Sequence, residues 1–321
     1  MLTAKIFLKA GLPTRAGAIE RNGAKWLARR RKAVEKWARD FGLDLGDAIN
    51  TDLKIWEPSP PSRPISVDVV IPFCVADRTF VAECIKSILN QRHVMTFIHL
   101  VSDGAAWPVI PGTGRIFRYQ TTGGWGPYRI TNAIERHCRT DWIVIQDGDD
   151  TSRPDRIWRQ IQLMKHYDAE MISSATENFI DDSGLGDESL HRRMQREPVI
   201  EPGVVYPSAP LGRLVNATRT MSREMFRRLN GWNDQFCTGD FQFDNRARYS
   251  GVKIVDDHTV LGDRRLHSSS LTSGIYSIGT ELRNKDISLC MQAVATMQND
   301  PSTKTARSLG ALDRAGNLEP I

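Results

Sequence analysis

The apolar positions of the chain fall into two periods, and the change between them marks its organisation. Residues 24–41 repeat Leu27, Val34, Trp37 and Phe41 at helical spacing among basic residues, which predicts an amphipathic helix. A stiff linker follows at 57–64, with four prolines in eight residues. From Ser66 onward short β-branched runs alternate with helical patterns. Strands are predicted at Val67–Pro72, Thr96–Val101, Arg115–Tyr119 and from Trp142, with helices at Phe80–Gln91 and about Tyr128–His137. In the first of these helices Phe80, Cys84 and Ile88 face inward, with Val81 and Ile85 as further candidates. Such alternation predicts an α/β fold with a mostly parallel central sheet flanked by helices.

The second half is less regular. It predicts a helix over Pro154–Tyr167 capped near Ser152, a strand over Met171–Thr176 and a charged loop over 181–203. A short helix over Met221–Leu229 stops at Asn230-Gly231, and a helix at 241–250 leads into a strand over Val252–Val255. A polar helix at about 277–298 precedes a polar tail, 299–321, expected to be poorly ordered. The expected division is a basic helical extension with linker at 1–64, an α/β domain at 65–276, and a C-terminal helix and tail at 277–321.

Composition changes this picture in one place. The net charge of +5 arises in residues 1–40, where eleven Lys and Arg face three Asp and Glu. The basic helix is open to three readings: docking on its own domain with solvated charges, peripheral contact with an anionic membrane, or contact with nucleic acid, the least favoured. The longest apolar run, Val69–Ala76, is interrupted by Pro72 and is far too short to span a membrane. The N-terminus lacks the apolar core of a secretory signal. Five cysteines without a CxxC pair read as reduced, mostly buried thiols. The expected location is the cytoplasm, with peripheral attachment at the inner face of the membrane as a variant.

The chemistry concentrates at Asp147-Gly148-Asp149-Asp150, directly after the apolar run Trp142–Ile145. Ligands of open α/β sheets gather beyond the carboxyl ends of the strands. In an extended chain Asp147 and Asp149 would point the same way, and two converging carboxylates call for a hard divalent cation such as Mg²⁺ or Mn²⁺. An ordinary Asp-Gly turn is the plainer alternative.

Further motifs stand in order along the chain: Val69–Pro72 with Glu83–Gln91, Val101-Ser102-Asp103-Gly104, Gly126 followed by Asn132, and Asp147–Asp150. Asn230–Asp234 with Thr238-Gly239-Asp240 and Arg246, and finally Arg265–Ser268, complete the set. Together, between about Val67 and Leu271, they resemble an inverting family 2 glycosyltransferase of the GT-A fold. The chain departs from the family pattern at Phe73-Cys74-Val75, Ser102, Thr131 and Gly239.

The resemblance implies a metal-dependent transfer of a sugar from a nucleotide-sugar, a UDP-sugar foremost, to a hydroxyl. The implied acceptor is a glycan or a lipid-linked precursor of a surface polysaccharide. Asp149 and His267 are the implied metal ligands, with Asp150 behind them. Pro72, Asp103, Asn132 and Asp147 are the implied nucleotide contacts, Asp103 through the uracil imide. Asp240 is the candidate general base, with Asp244 one helical turn later as its rival. Trp232 either stacks on a sugar or packs in the core, and Arg192, Arg193 and Arg196 are candidates to grip phosphate. The other readings are a nucleotidyltransferase, disfavoured because Phe73–Ala76 offers no Gly-rich basic loop, and a GT-A-like binding protein without catalysis.

Overall fold

The computed structural model describes residues 60–110, 112–181, 205–206, 214–270 and 280–321. The basic helix, the first part of the Pro-rich linker and the arginines at 192, 193 and 196 lie outside the described residues.

The strands are β1 (Ile65–Phe73), β2 (Val94–Asp103), β3 (Ile116–Thr121), β4 (Trp142–Ile145), β5 (Thr151–Ser152), β6 (Met171–Ile180), β7 (Val205–Tyr206), β8 (Thr220–Ser222) and β9 (Ile254–Leu266). The helices, in order, are α1 (Val81–Leu89), α2 (Gly126–Ile134), α3 (Arg156–Tyr167), α4 (Arg223–Arg228), α5 (Gly239–Tyr249), α6 (Glu281–Asn299) and α7 (Thr303–Ser308). One sheet runs β3-β2-β1-β4-β8-β6-β9-β5, with β7 on β9. The long pairings, β1 with β2 and β6 with β9, are parallel. β4 is parallel to β1 but antiparallel to β8, so the sheet changes character at the strand that carries the acidic motif.

Both faces of the sheet are covered, as an α/β sheet with apolar strands requires. β1 shows the logic: Val67, Val69, Ile71 and Phe73 pack with α1 and α3 on one face, and Val70 packs with α2 on the other. Asp68 shares the face of Val70 and is fully buried. Its carboxylate takes hydrogen bonds from Arg139 and Thr140 N–H groups at 2.8 and 2.7 Å and lies 2.8 Å from His99 Nε2. Burial alone would push this carboxyl up; the hydrogen bonds from His99 and Thr140 outweigh it and hold it below the usual range.

Four expectations need correction. Phe80 is the half-buried residue before α1 and not part of its stripe, which is Val81, Cys84, Ile85 and Ile88. Ser152 does not cap α3; it sits in β5 and its hydroxyl donates to Gln146 Oε1 at 2.6 Å. The strand expected over Val252–Val255 is far longer, reaching Leu266 beside β6. The tail 299–321 is not loose: Ala306, Ala311, Ala315 and Leu318 are buried, and the Asn230 amide donates to Arg307 C=O and Asp313. Short alanine-spaced segments carry little periodic signal, yet they close the core over α2 and α5. Among the described residues no helix is long and apolar enough to cross a membrane.

Candidate active site

The loop after β4 is held from several sides. The Gln146 Nε2 amide donates to the carbonyls of Asp147 and Asp150 at 3.1 and 3.0 Å. The Cys84 thiol donates to the Asp147 carbonyl. Arg265, from the end of β9, donates its N–H to Asp150 Oδ1 at 2.8 Å and its Nε–H to the Asp149 carbonyl at 3.1 Å. Its guanidinium continues to Glu83 and Asp181 and lies against the Phe80 and Phe179 rings. The buried Arg156 donates to Gln146 Oε1 and to the Ile145 carbonyl, both at 2.7 Å. Asp150 thus supports the loop from behind.

β4 ends at Ile145, so Asp147 and Asp149 do not alternate along an extended strand. The turn between them presses on β1. A methyl group on Gly148 would lie 2.9 Å from Phe73 Cβ and 3.0 Å from the Pro72 carbonyl. Gly148→Ala is therefore expected to lower stability by about 1–3 kcal/mol, the usual cost of overpacking, and to displace Asp149. Thermal melting and donor binding measured on that variant check it; an unchanged melting point and affinity would refute the contact.

Asp149 Oδ2 lies 3.1 Å from His267 Nε2. His267 is 1% exposed, not a surface-loop residue, and its Nδ1 is 2.8 Å from Ser269 Oγ. Asp77, which the sequence reading passed over, joins them: one ligand atom from each of Asp77, Asp149 and His267 lies within 4.8 Å of the others. Asp77 closes a 3₁₀ turn after β1, where its Oδ2 accepts the Cys74 N–H at 2.9 Å. Its sequence offers only a general hint, a carboxylate just past the carboxyl end of the first strand, and no sign of the turn that brings it here.

Burial and the Asp149 charge push Asp77 up to about 6 and Asp147 up to about 7; Asp147 also feels Arg264, Asp77 and Asp240. Burial, then Asp149 and Asp147, push Asp150 up as well. A divalent cation would offset this repulsion, and two carboxylates with an imidazole are a donor set that suits one.

The remaining candidates divide. Pro72 is half-buried at the carboxyl end of β1, under Gly148. Asp103 ends β2 and accepts N–H groups of Trp125 and Gly126 at 3.1 and 2.9 Å, plus the Thr121 hydroxyl, so it fastens the start of α2. Asn132 is 1% exposed, and its amide pairs both ways with the Trp232 backbone at 3.0 and 2.9 Å. Trp232 is likewise a core residue, 1% exposed, with Phe243 and Tyr128 rings 4.4 and 5.1 Å away.

Asp240 stands in the first turn of α5, half-buried, and Tyr128 donates its hydroxyl to Asp240 Oδ1 at 3.1 Å. Burial and the neighbouring Asp240 charge push the Tyr128 phenol well above its ordinary value, so it stays a donor. A methyl on Gly239 would meet the Tyr128 ring at 2.6 Å, which shows how closely that ring is seated under the helix start. Asp244 is spent elsewhere. It is buried with its Oδ1 2.8 Å from Arg219 Nη2, an ion pair out of line for a hydrogen bond. Burial drives Asp244 up to about 7 despite Arg219.

A mixed, largely parallel sheet with an acidic loop at the carboxyl end of its central strand, faced by a late histidine and a carboxylate on a following helix, defines a GT-A-type α/β glycosyltransferase. The family model described as Glycosyl transferase family 2 matches residues 68–247, more than half of the chain, and the chain belongs to that family. It is a glycosyltransferase. Among solved structures, S. aureus TarS 1-349 in complex with UDP-GlcNAc superposes with a TM-score of 0.56 at 11% identity, covering 75% of this chain and 69% of that one. S. aureus TarS superposes at 0.52 with 11% identity, covering 75% and 41%. At such identity the likeness shows the fold. No curated protein matches the sequence.

Proposed function

We propose that this glycosyltransferase transfers a sugar from a UDP-sugar to a hydroxyl of a glycan or lipid-linked acceptor in surface-polysaccharide synthesis, with inversion and with a divalent metal, Mn²⁺ or Mg²⁺. The observation that carries the donor side is the 3.1 Å approach of His267 to Asp149 at the carboxyl edge of the sheet. Asp149 and His267 would hold the cation, which when bound neutralises charge gathering on the leaving diphosphate. Asp147 and Pro72 line the same edge, and Asp103 is the base-reading candidate through what its carboxylate leaves free. The UDP assignment is supported by family membership and by the UDP-GlcNAc named with TarS.

Asp240 acts as general base. Tyr128 ties one carboxylate oxygen, and the other is left to take the acceptor proton as the hydroxyl attacks. Asp244, buried against Arg219, is too withdrawn for that role. The basic residues of 1–40 support peripheral attachment to an anionic membrane at the cytoplasmic face, where a lipid-linked acceptor would be met.

The test is calorimetric titration with UDP, GDP, ADP and CDP, each with and without Mn²⁺. Metal-dependent binding of UDP above the others is expected. Preference for another base keeps the enzyme class but removes the uracil reading of Asp103; no nucleotide binding under any metal condition removes the donor-site assignment.

A further inference from the structure

The donor site has more protein ligands than a nucleotide-borne cation needs. A hard cation held by one or two carboxylates completes its shell with substrate phosphates and water. Here three side chains from three separate elements converge: Asp77 after β1, Asp149 after β4 and His267 after β9. Each is fixed by its own contacts. The Cys74 N–H holds Asp77, Arg265 and Gln146 hold the turn that carries Asp149, and Ser269 Oγ orients the His267 ring with Nε2 toward Asp149. The carboxylate of Asp77 spends only one oxygen on that backbone bond in the turn, so the second can serve as a ligand. The imidazole is 1% exposed and follows a different strand from either carboxylate, so the group is not a chance acidic patch.

We propose that Asp77 is a third protein ligand and that, with Asp149 and His267, it binds a Mn²⁺-class cation before any nucleotide arrives. This rests on the metal-dependent reading above and adds to it a residue, an order of binding and a metal preference. Preformed ligands make the site competent without the diphosphate. A nitrogen donor favours Mn²⁺ and later transition metals over Mg²⁺, which prefers an all-oxygen shell and keeps its waters. In such a site the cation is resident, and the nucleotide-sugar docks onto it.

The experiment is an electron-paramagnetic-resonance titration of the full chain with Mn²⁺ alone, following loss of the free-ion signal. One saturable site without nucleotide is expected, with Mg²⁺ displacing Mn²⁺ only at an excess of about tenfold or more. Asp77→Asn keeps an oxygen for the Cys74 N–H, so the turn is preserved while the charged ligand is lost. It is expected to weaken Mn²⁺ by about 10–100-fold, at least the loss typical of residues supporting a metal ligand, with an unchanged melting point in the absence of metal. Nitrogen coupling to bound Mn²⁺ in wild-type protein would identify His267 without any variant. Absence of saturable Mn²⁺ binding without nucleotide overturns the inference, and so does an Asp77→Asn protein that binds Mn²⁺ like the wild type. If Mn²⁺ binds only together with UDP, the donor-site reading stands and this inference alone falls.

Discussion

Replacing Asp149 by alanine is expected to remove metal-dependent binding of UDP and to lower sugar transfer by about a thousandfold or more. Stabilising the charge on a departing diphosphate is worth several kcal/mol, and each 1.36 kcal/mol or so is a factor of ten in rate. Asp149 is the carboxylate in contact with His267 and also the largest charge acting on Asp77 and Asp147 after burial. Its removal therefore has two consequences of opposite sign. The cation loses a ligand, while Asp77 and Asp147 lose a repelling neighbour and ionise more readily. A carboxyl whose folded pKa is raised costs stability once pH rises above its unfolded value, so relief of that repulsion favours the folded state near neutral pH. The variant should thus fold at least as stably as the wild type without metal while binding nucleotide poorly. Calorimetry and thermal melting on the same sample separate these effects; intact metal-dependent UDP binding would remove Asp149 from the donor site.

The second large effect concerns the acceptor side. Asp240→Asn is expected to reduce turnover by about 10²–10⁴, the range attributed to a positioned general base, with donor affinity unchanged. Asparagine retains an oxygen for the Tyr128 hydroxyl, so the start of α5 keeps its contact. Tyr128→Phe supplies the companion measurement. It preserves the ring against Gly239 and Trp232 but releases Asp240 Oδ1, and a smaller fall in kcat with unchanged donor KM is expected. Steady-state rates against a panel of UDP-sugars, with water or supplied glycans as acceptor, give both numbers. Full activity of Asp240→Asn would return the base role to an open question and would not disturb the donor site.

The elements of the α/β core were legible because strands buried on both faces must be apolar without a break, as Val69–Ile71 and Trp142–Ile145 are, and because helices facing a sheet carry a one-sided stripe. Asp149 and His267 were legible as motif residues. Asp77 was not: nothing in Cys74-Val75-Ala76-Asp77 shows that a 3₁₀ turn will bring its carboxylate to residues 72 and 190 positions later in the chain. Asn132 and Trp232 were ambiguous for the opposite reason. An amide and an indole can serve a ligand or a core equally well, and only burial and pairing distinguish them.

The sequence by itself determined the class of fold, the order of its elements, and which stretch would carry the acidic chemistry, since these rest on local periodicity and on residue type. The tertiary structure alone decided that β4 is the strand where parallel pairing gives way to antiparallel, that the tail closes over α2 and α5, and that Asp244 is withdrawn against Arg219 while Asp240 meets Tyr128. Each of these depends on distances between residues far apart in the chain. Electrostatic repulsion, desolvation and hydrogen-bond satisfaction act through space, so their outcome is set by packing and has no local signature.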